Sequence, residues 1–121
     1  MLKLTLLQGL FRLAFVASVL VIATIAFLPN YDDLPELTSF SDILNHFAAF
    51  FVLSLFLERG FSPRVQVAFM LLFAYGLFIE TVQHFLPSRC FDLLDLAVDM
   101  AGVAAYYLLL YALFLVKRSK L

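Results

Sequence analysis

Charge is scarce in this chain: 14% of its 121 residues are charged and 64% are hydrophobic. A soluble domain carries about a quarter charged residues and about half apolar ones. Together with a mean hydropathy of +1.02, this balance excludes an ordinary water-soluble globule and predicts an integral membrane protein. The net charge is −1 and no basic run occurs in the core of the sequence, which excludes a phosphate-tracking surface and so nucleic acid as a partner. Cysteine occurs once, at Cys90, so no internal disulfide can form and no paired thiolate site for zinc exists. Cys90 reads as a small loop hydrophobe. Neither HxxxH nor HExxH is present, and no serine or cysteine nucleophile motif appears. There is no internal repeat and no low-complexity segment, and the length allows one compact domain, residues 1–121.

What is present is four apolar runs, residues 10–28, 42–57, 65–86 and 93–116, set apart by Pro29-Asn30, Glu58-Arg59-Gly60 with Pro63, and Pro87. Proline disfavours helix in the residue before it, so these prolines mark boundaries. About 20 helical residues cross a bilayer core; the first, third and fourth runs reach that length and the second is short. Lys3, Arg12, Arg59, Arg64, Lys117, Arg118 and Lys120 all fall on one side of a four-span chain. The excess of Lys and Arg predicts that this side, with both termini, is cytoplasmic. The expected fold is all-α: a polytopic membrane protein, a four-helix transmembrane bundle with both termini cytoplasmic. A cleavable signal peptide ending near Ala26 is the rival reading of the first run, opposed by its length and by Arg12 within it.

Ionisable residues in so apolar a chain need a reason, because each costs a few kcal/mol or more inside a bilayer. Asp42, Asn45 and His46 open the second span; Glu80, Gln83 and His84 lie near the end of the third; Asp92, Asp95 and Asp99 start the fourth, with Gly102 and Tyr106 extending that stripe. Offsets of three and four place each set on one helix face, and the three faces fall at similar depth in the outer half of the membrane. Facing one another, they share protons and hydrogen bonds; facing lipid, each is penalised. Arg89, in the loop between the third and fourth spans, suits a bidentate contact with a carboxylate or an external anion. Asp42 and Asp92 also suit helix N-caps, and Glu80 a helix-packing hydrogen bond. His46 and His84 are of the right type to ligate a metal with Asp42, Glu80, Asp95 or Asp99, or to relay protons. No metal-binding spacing supports the former, so no metal and no cofactor is assigned. Gly76 and Gly102, with Ala101, Ala104 and Ala105, allow close helix contact beside the polar faces.

The strings SDILNHFAAFFVL and YGLFIETVQHFLPSRCFDLLDLAVDMAG resemble the VanZ-like family of small bacterial membrane proteins. Asp42 and His46 match the family's first span motif, Gly76, Glu80 and Gln83 its second, Phe85, Pro87 and Arg89 its loop, and Asp92, Asp95 and Gly102 its last. Asp99 stands where the family usually has Asn, which adds an acid. The resemblance covers residues 42–102 and leaves the first span without diagnostic residues. It implies a multi-pass protein of the bacterial cytoplasmic (inner) membrane, at the cell envelope, and a link to low-level antibiotic resistance against the glycopeptide teicoplanin.

Three functions fit these residues. In the first, the cluster of Asp42, His46, Glu80, Gln83, His84, Arg89, Asp92, Asp95 and Asp99 binds the polar or phosphate-bearing headgroup of a membrane lipid or lipid-linked envelope precursor. Arg89 holds the anion, the histidines donate hydrogen bonds, and Asp95 and Asp99 orient them. In the second, the protein is an enzyme acting on such a headgroup, with Glu80 or His84 as general base. In the third, the cluster is a polar lock that sets helix register. Four short spans enclose little volume for a transport path within one chain, although a homo-oligomer is compatible with the sequence.

Overall fold

A computed structural model describes residues 5–27, 40–86 and 92–120, with the side chains of Phe40, Ser41 and Asp42 outside that description. Four helices account for nearly all of it: α1 Leu6–Ala26, α2 Phe40–Phe61, α3 Val65–His84 and α4 Leu93–Ser119. No strand occurs among the described residues. Each of the four is long and apolar enough to cross a membrane. The second is longer than the hydropathy run predicts: at 22 residues it extends about 33 Å. Glu58 and Arg59 are good helix formers, and one glycine costs a helix only about 1 kcal/mol, so the polar triplet does not stop it. It stops at Ser62, which sits at φ 49° with its amide and its hydroxyl both donating to the Glu58 carbonyl, immediately before Pro63. Thr5 caps α1 by accepting from the Gln8 amide at 3.0 Å, and Asp92 caps α4 by accepting from the Leu94 amide at 2.9 Å.

Packing runs in the order α1–α2–α4–α3 around the bundle. The helices alternate in direction along the chain, so α2 and α4 lie parallel to each other and antiparallel to α1 and α3. α3 also touches α2 and, lightly, α1, whereas α1 and α4 do not meet. The apolar core joins Phe50, Leu53 and Leu57 of α2 to Ala68 and Leu72 of α3 and Val103 of α4. Spacings of three and four residues put the α2 members on one face. α2 and α4 approach each other closely at Gly102, where a Cβ would run into the Phe47 carbonyl oxygen.

α1 is peripheral and buries no residue fully. Polar ties hold it at three levels instead. Arg12 Nε and Gln8 Nε2 donate to the Gly60 carbonyl at 2.8 and 3.2 Å near one end. Tyr75 Oη donates to the Val19 carbonyl at 2.6 Å near the middle, and Gln83 Nε2 to the Ala26 carbonyl at 2.8 Å at the other end. Between membrane helices a side-chain hydrogen bond is worth about 0.6 kcal/mol on average, and up to about 2 kcal/mol. Tyr75→Phe is therefore expected to lower stability by about 0.5–1.5 kcal/mol, read as an earlier thermal transition in detergent. An unchanged melting curve would show that this tie contributes nothing to the seating of α1.

Candidate functional site

The end of the bundle away from the two termini gathers the polar residues. It is where α1 and α3 finish and where α2 and α4 begin. His46 lies six residues into α2 and Asp99 six residues into α4, each about 9 Å along its helix. Glu80 lies four residues before the end of α3, about 6 Å from it. The matching depth expected from the sequence is observed. One ligand atom each of His46, Glu80 and Asp99 lies within 4.8 Å of the other two.

His46 is the hinge of the group. Its Nδ1 donates to Asp99 Oδ1 at 2.8 Å, and its Nε2 faces Asp95 Oδ2 at 3.6 Å. Offsets of four put Asp95 and Asp99 one above the other on α4, so both reach the same imidazole. The pair brackets the ring and fixes its plane. Asp99 is 2% exposed and Glu80 0%, so these carboxyl groups are out of contact with lipid. Glu80 Oε1 accepts from the Asp92 amide at 3.1 Å, one of the first amides of α4, which intrahelical bonding leaves unpaired. Its other oxygen, Oε2, is buried with no hydrogen-bond partner among the described residues. Gly76 makes the approach of α3 and α4 here close: a Cβ at Gly76 would lie 3.0 Å from Leu96 Cδ1 and 3.3 Å from Asp99 Oδ2.

The remaining predicted residues divide. Asp95 joins the group through His46. Asp92 belongs to it by its backbone, while its side chain is spent on capping α4. Gln83 borders the group and ties α3 to the last turn of α1. His84 stands apart: it is exposed and meets Phe85 edge-on, with ring centroids 5.1 Å apart, outside the buried group. Its offset of four from Glu80 predicts a shared face, but it is the last residue of α3, one turn beyond the level at which the helices converge. Tyr106 is another difference. Rather than extending the polar stripe, it reaches toward the opposite end, where its hydroxyl donates to Glu58 Oε1 at 3.4 Å. Asp42 and Arg89 lie outside the side chains described.

A cavity of about 320 Å³ opens beside the group. His46, Asp99, Asn45 and Gln83 supply its polar wall, and Ile22, Ile25, Ala49, Phe50 and Ile79 its apolar wall. Its size and mixed lining match small-molecule sites, which are mostly apolar with a few converging polar groups. The first helix was missed as a contributor. Ile22, Ile25 and the Ala26 backbone carry no polar side chain, so nothing in their sequence marks them. Chemically, three carboxyl groups face one imidazole among the described residues. This arrangement favours hydrogen-bond donors and positive charge, and the carboxylate-oriented imidazole is also suited to accept a proton from a bound group.

A protein-family model described as VanZ/LLP1 matches residues 3–115, nearly the whole chain and including the first helix. No curated protein and no solved structure matches it.

Proposed function

We propose, for a multi-pass membrane protein that belongs to the VanZ/LLP1 family, that the His46–Glu80–Asp99 group binds the polar headgroup of an envelope lipid or lipid-linked precursor. The observation that carries this reading is the junction of a buried polar group with a partly apolar cavity about one to two helical turns deep. A lipid has the same two-part chemistry at that depth: an amphipathic ligand places its polar end on His46 and Asp99 and its apolar part along Ile22, Ile25 and Ile79. Arg89, beside the α4 start in sequence, is the residue suited to a phosphate on such a headgroup. With the Lys and Arg residues on the cytoplasmic side, the site opens toward the outer leaflet of the cytoplasmic membrane, where glycopeptide targets are assembled into the envelope. Reduced susceptibility to teicoplanin is the cellular consequence.

The test is retention of lipid by the purified protein. After detergent extraction, native mass spectrometry in the presence of phosphatidylglycerol, phosphatidylethanolamine or a polyprenyl phosphate is expected to show one of these retained. His46→Ala, which removes the residue joining α2 to α4 in the group, is expected to weaken that retention at least about tenfold, the equivalent of one charged hydrogen bond. Equal retention of all three lipids by wild type and His46→Ala would remove the reading.

The 2.8 Å bond from His46 Nδ1 to Asp99 favours a second reading, an enzyme acting on the same headgroup, because an imidazole held by a carboxylate is the usual form of a general base. This reading gives the general-base role to His46, where the sequence offered Glu80 or His84. Turnover of the retained lipid with a pH-dependent rate, lost in His46→Ala and kept in His84→Ala, distinguishes it from binding alone.

A further inference from the structure

We propose that His46, Glu80 and Asp99 form a binding site for a divalent transition-metal ion, zinc or manganese in the first instance. The donor set is one imidazole nitrogen and two carboxylate oxygens, delivered by three different helices to a common point. Imidazole selects for zinc and its neighbours, and carboxylates extend the range toward manganese.

Two independent observations point to a cation. The first is the mutual distance of 4.8 Å or less among the three donor atoms. Donors around one ion at about 2.1 Å stand roughly 3–4 Å apart, so side-chain rotations of less than about 1 Å close the site. The Nδ1–Oδ1 separation of 2.8 Å between His46 and Asp99 is a few tenths of an ångström shorter than that of adjacent donors, so a slight opening lets an ion replace the shared proton. The second is Glu80 Oε2. It is enclosed by protein on a fully buried residue, and among the described residues no hydrogen-bond donor reaches it. A buried carboxylate oxygen left unmatched costs more than the about 1–3 kcal/mol of an unpaired neutral group and calls for a partner. A cation supplies one and offsets the excess of carboxylate over imidazole.

The surroundings are those of a metal centre. Histidine ligands donate their second ring nitrogen to a carboxylate that fixes the ring, and ligating carboxylates are themselves hydrogen-bonded. Here Asp95 faces His46 Nε2 at 3.6 Å, and the Asp92 amide holds Glu80 Oε1 at 3.1 Å. The site also borders the cavity, which leaves a coordination position for water or for an oxygen of a ligand. Metal binding does not depend on the headgroup reading. If both hold, the ion provides the positive charge that a phosphate needs in an otherwise acidic pocket.

The experiment uses the full chain, purified in detergent without a polyhistidine tag, stripped with chelator and equilibrated with Zn²⁺ or Mn²⁺. Elemental analysis after gel filtration is expected to find about one ion per chain, and the melting temperature is expected to rise with the ion and fall again with chelator. Glu80→Gln and His46→Ala are expected to weaken binding at least about tenfold, whereas His84→Ala, which removes the exposed histidine at the same end, keeps it. Wild-type protein that retains neither ion and whose melting temperature ignores both overturns the proposal, whatever the variants do. So does binding that survives in folded Glu80→Gln and His46→Ala or that is lost in His84→Ala. Lipid retention measured in the presence of chelator is a separate readout, so failure of the metal site and failure of headgroup binding remain distinguishable.

Discussion

Gly102→Val is expected to prevent assembly of the bundle. The Cβ of any residue at 102 meets the carbonyl oxygen of Phe47, and lies 3.2 Å from the Phe47 carbonyl carbon and 3.2 Å from the Phe51 amide nitrogen. All three are backbone atoms of α2, so no side chain can rotate out of the way, and relief requires moving α2 and α4 apart. Overpacking that flexible neighbours absorb costs about 1–3 kcal/mol. With backbone on both sides the cost is expected to exceed about 3 kcal/mol, a large part of the 5–15 kcal/mol that holds a typical domain together. Parting these helices also carries Asp99, one turn earlier on α4, away from His46. Yield, monodispersity and melting temperature in detergent are the measurements. Gly9→Ala is the contrast, because a Cβ there meets nothing within 4 Å and alanine gains about 1 kcal/mol of helix propensity. Gly102→Val protein that purifies and melts like wild type would show that α2 and α4 do not pack as described.

The same pair of helices shows what the sequence could and could not convey. Four spans and their order are legible because hydropathy and proline placement are properties of the side chains themselves. The polar group is legible for a related reason: in an apolar chain, acids and a histidine at offsets of three and four must face inward, and His46, Glu80 and Asp99 do. Offsets, however, say which face a residue shares and not how far the neighbouring helices extend. His84 shares an offset of four with Glu80 yet stands at the helix end, exposed. Tyr106 continues the stripe of Asp99 and Gly102 but turns to Glu58 at the other end. Least legible is α1. Two of the three levels at which it is tied use its own backbone carbonyls, Val19 and Ala26, and at the third its Arg12 and Gln8 reach the backbone of Gly60. Every residue has a carbonyl, so no residue type announces the contact. The glycines lie between these extremes: their small size predicts close approach, and only the helix geometry reveals that Gly102 meets Phe47 while Gly9 meets nothing.

Glu80→Gln is expected to make the protein more stable and less functional at once. Glutamine keeps an oxygen where Oε1 accepts from the Asp92 amide. It puts an amide donor where Oε2 has no partner among the described residues. In a group where three carboxyls face a single imidazole, a buried unmatched acceptor becomes a donor. Giving a buried polar atom without a partner one it can pair with, in a group of the same shape, is stabilising, here by about 1–2 kcal/mol. A polar lock gives the opposite result: if Glu80 holds the helices in register, its neutralisation lowers the melting temperature. A functional site gives the predicted pair, because residues placed for ligands are tolerated at a cost in stability. The decisive comparison measures melting temperature and lipid or ion retention on the same Glu80→Gln preparation. A higher melting temperature with retention cut at least about tenfold marks Glu80 as a ligand-facing group. A lower melting temperature with retention intact would assign it to the architecture of the bundle instead.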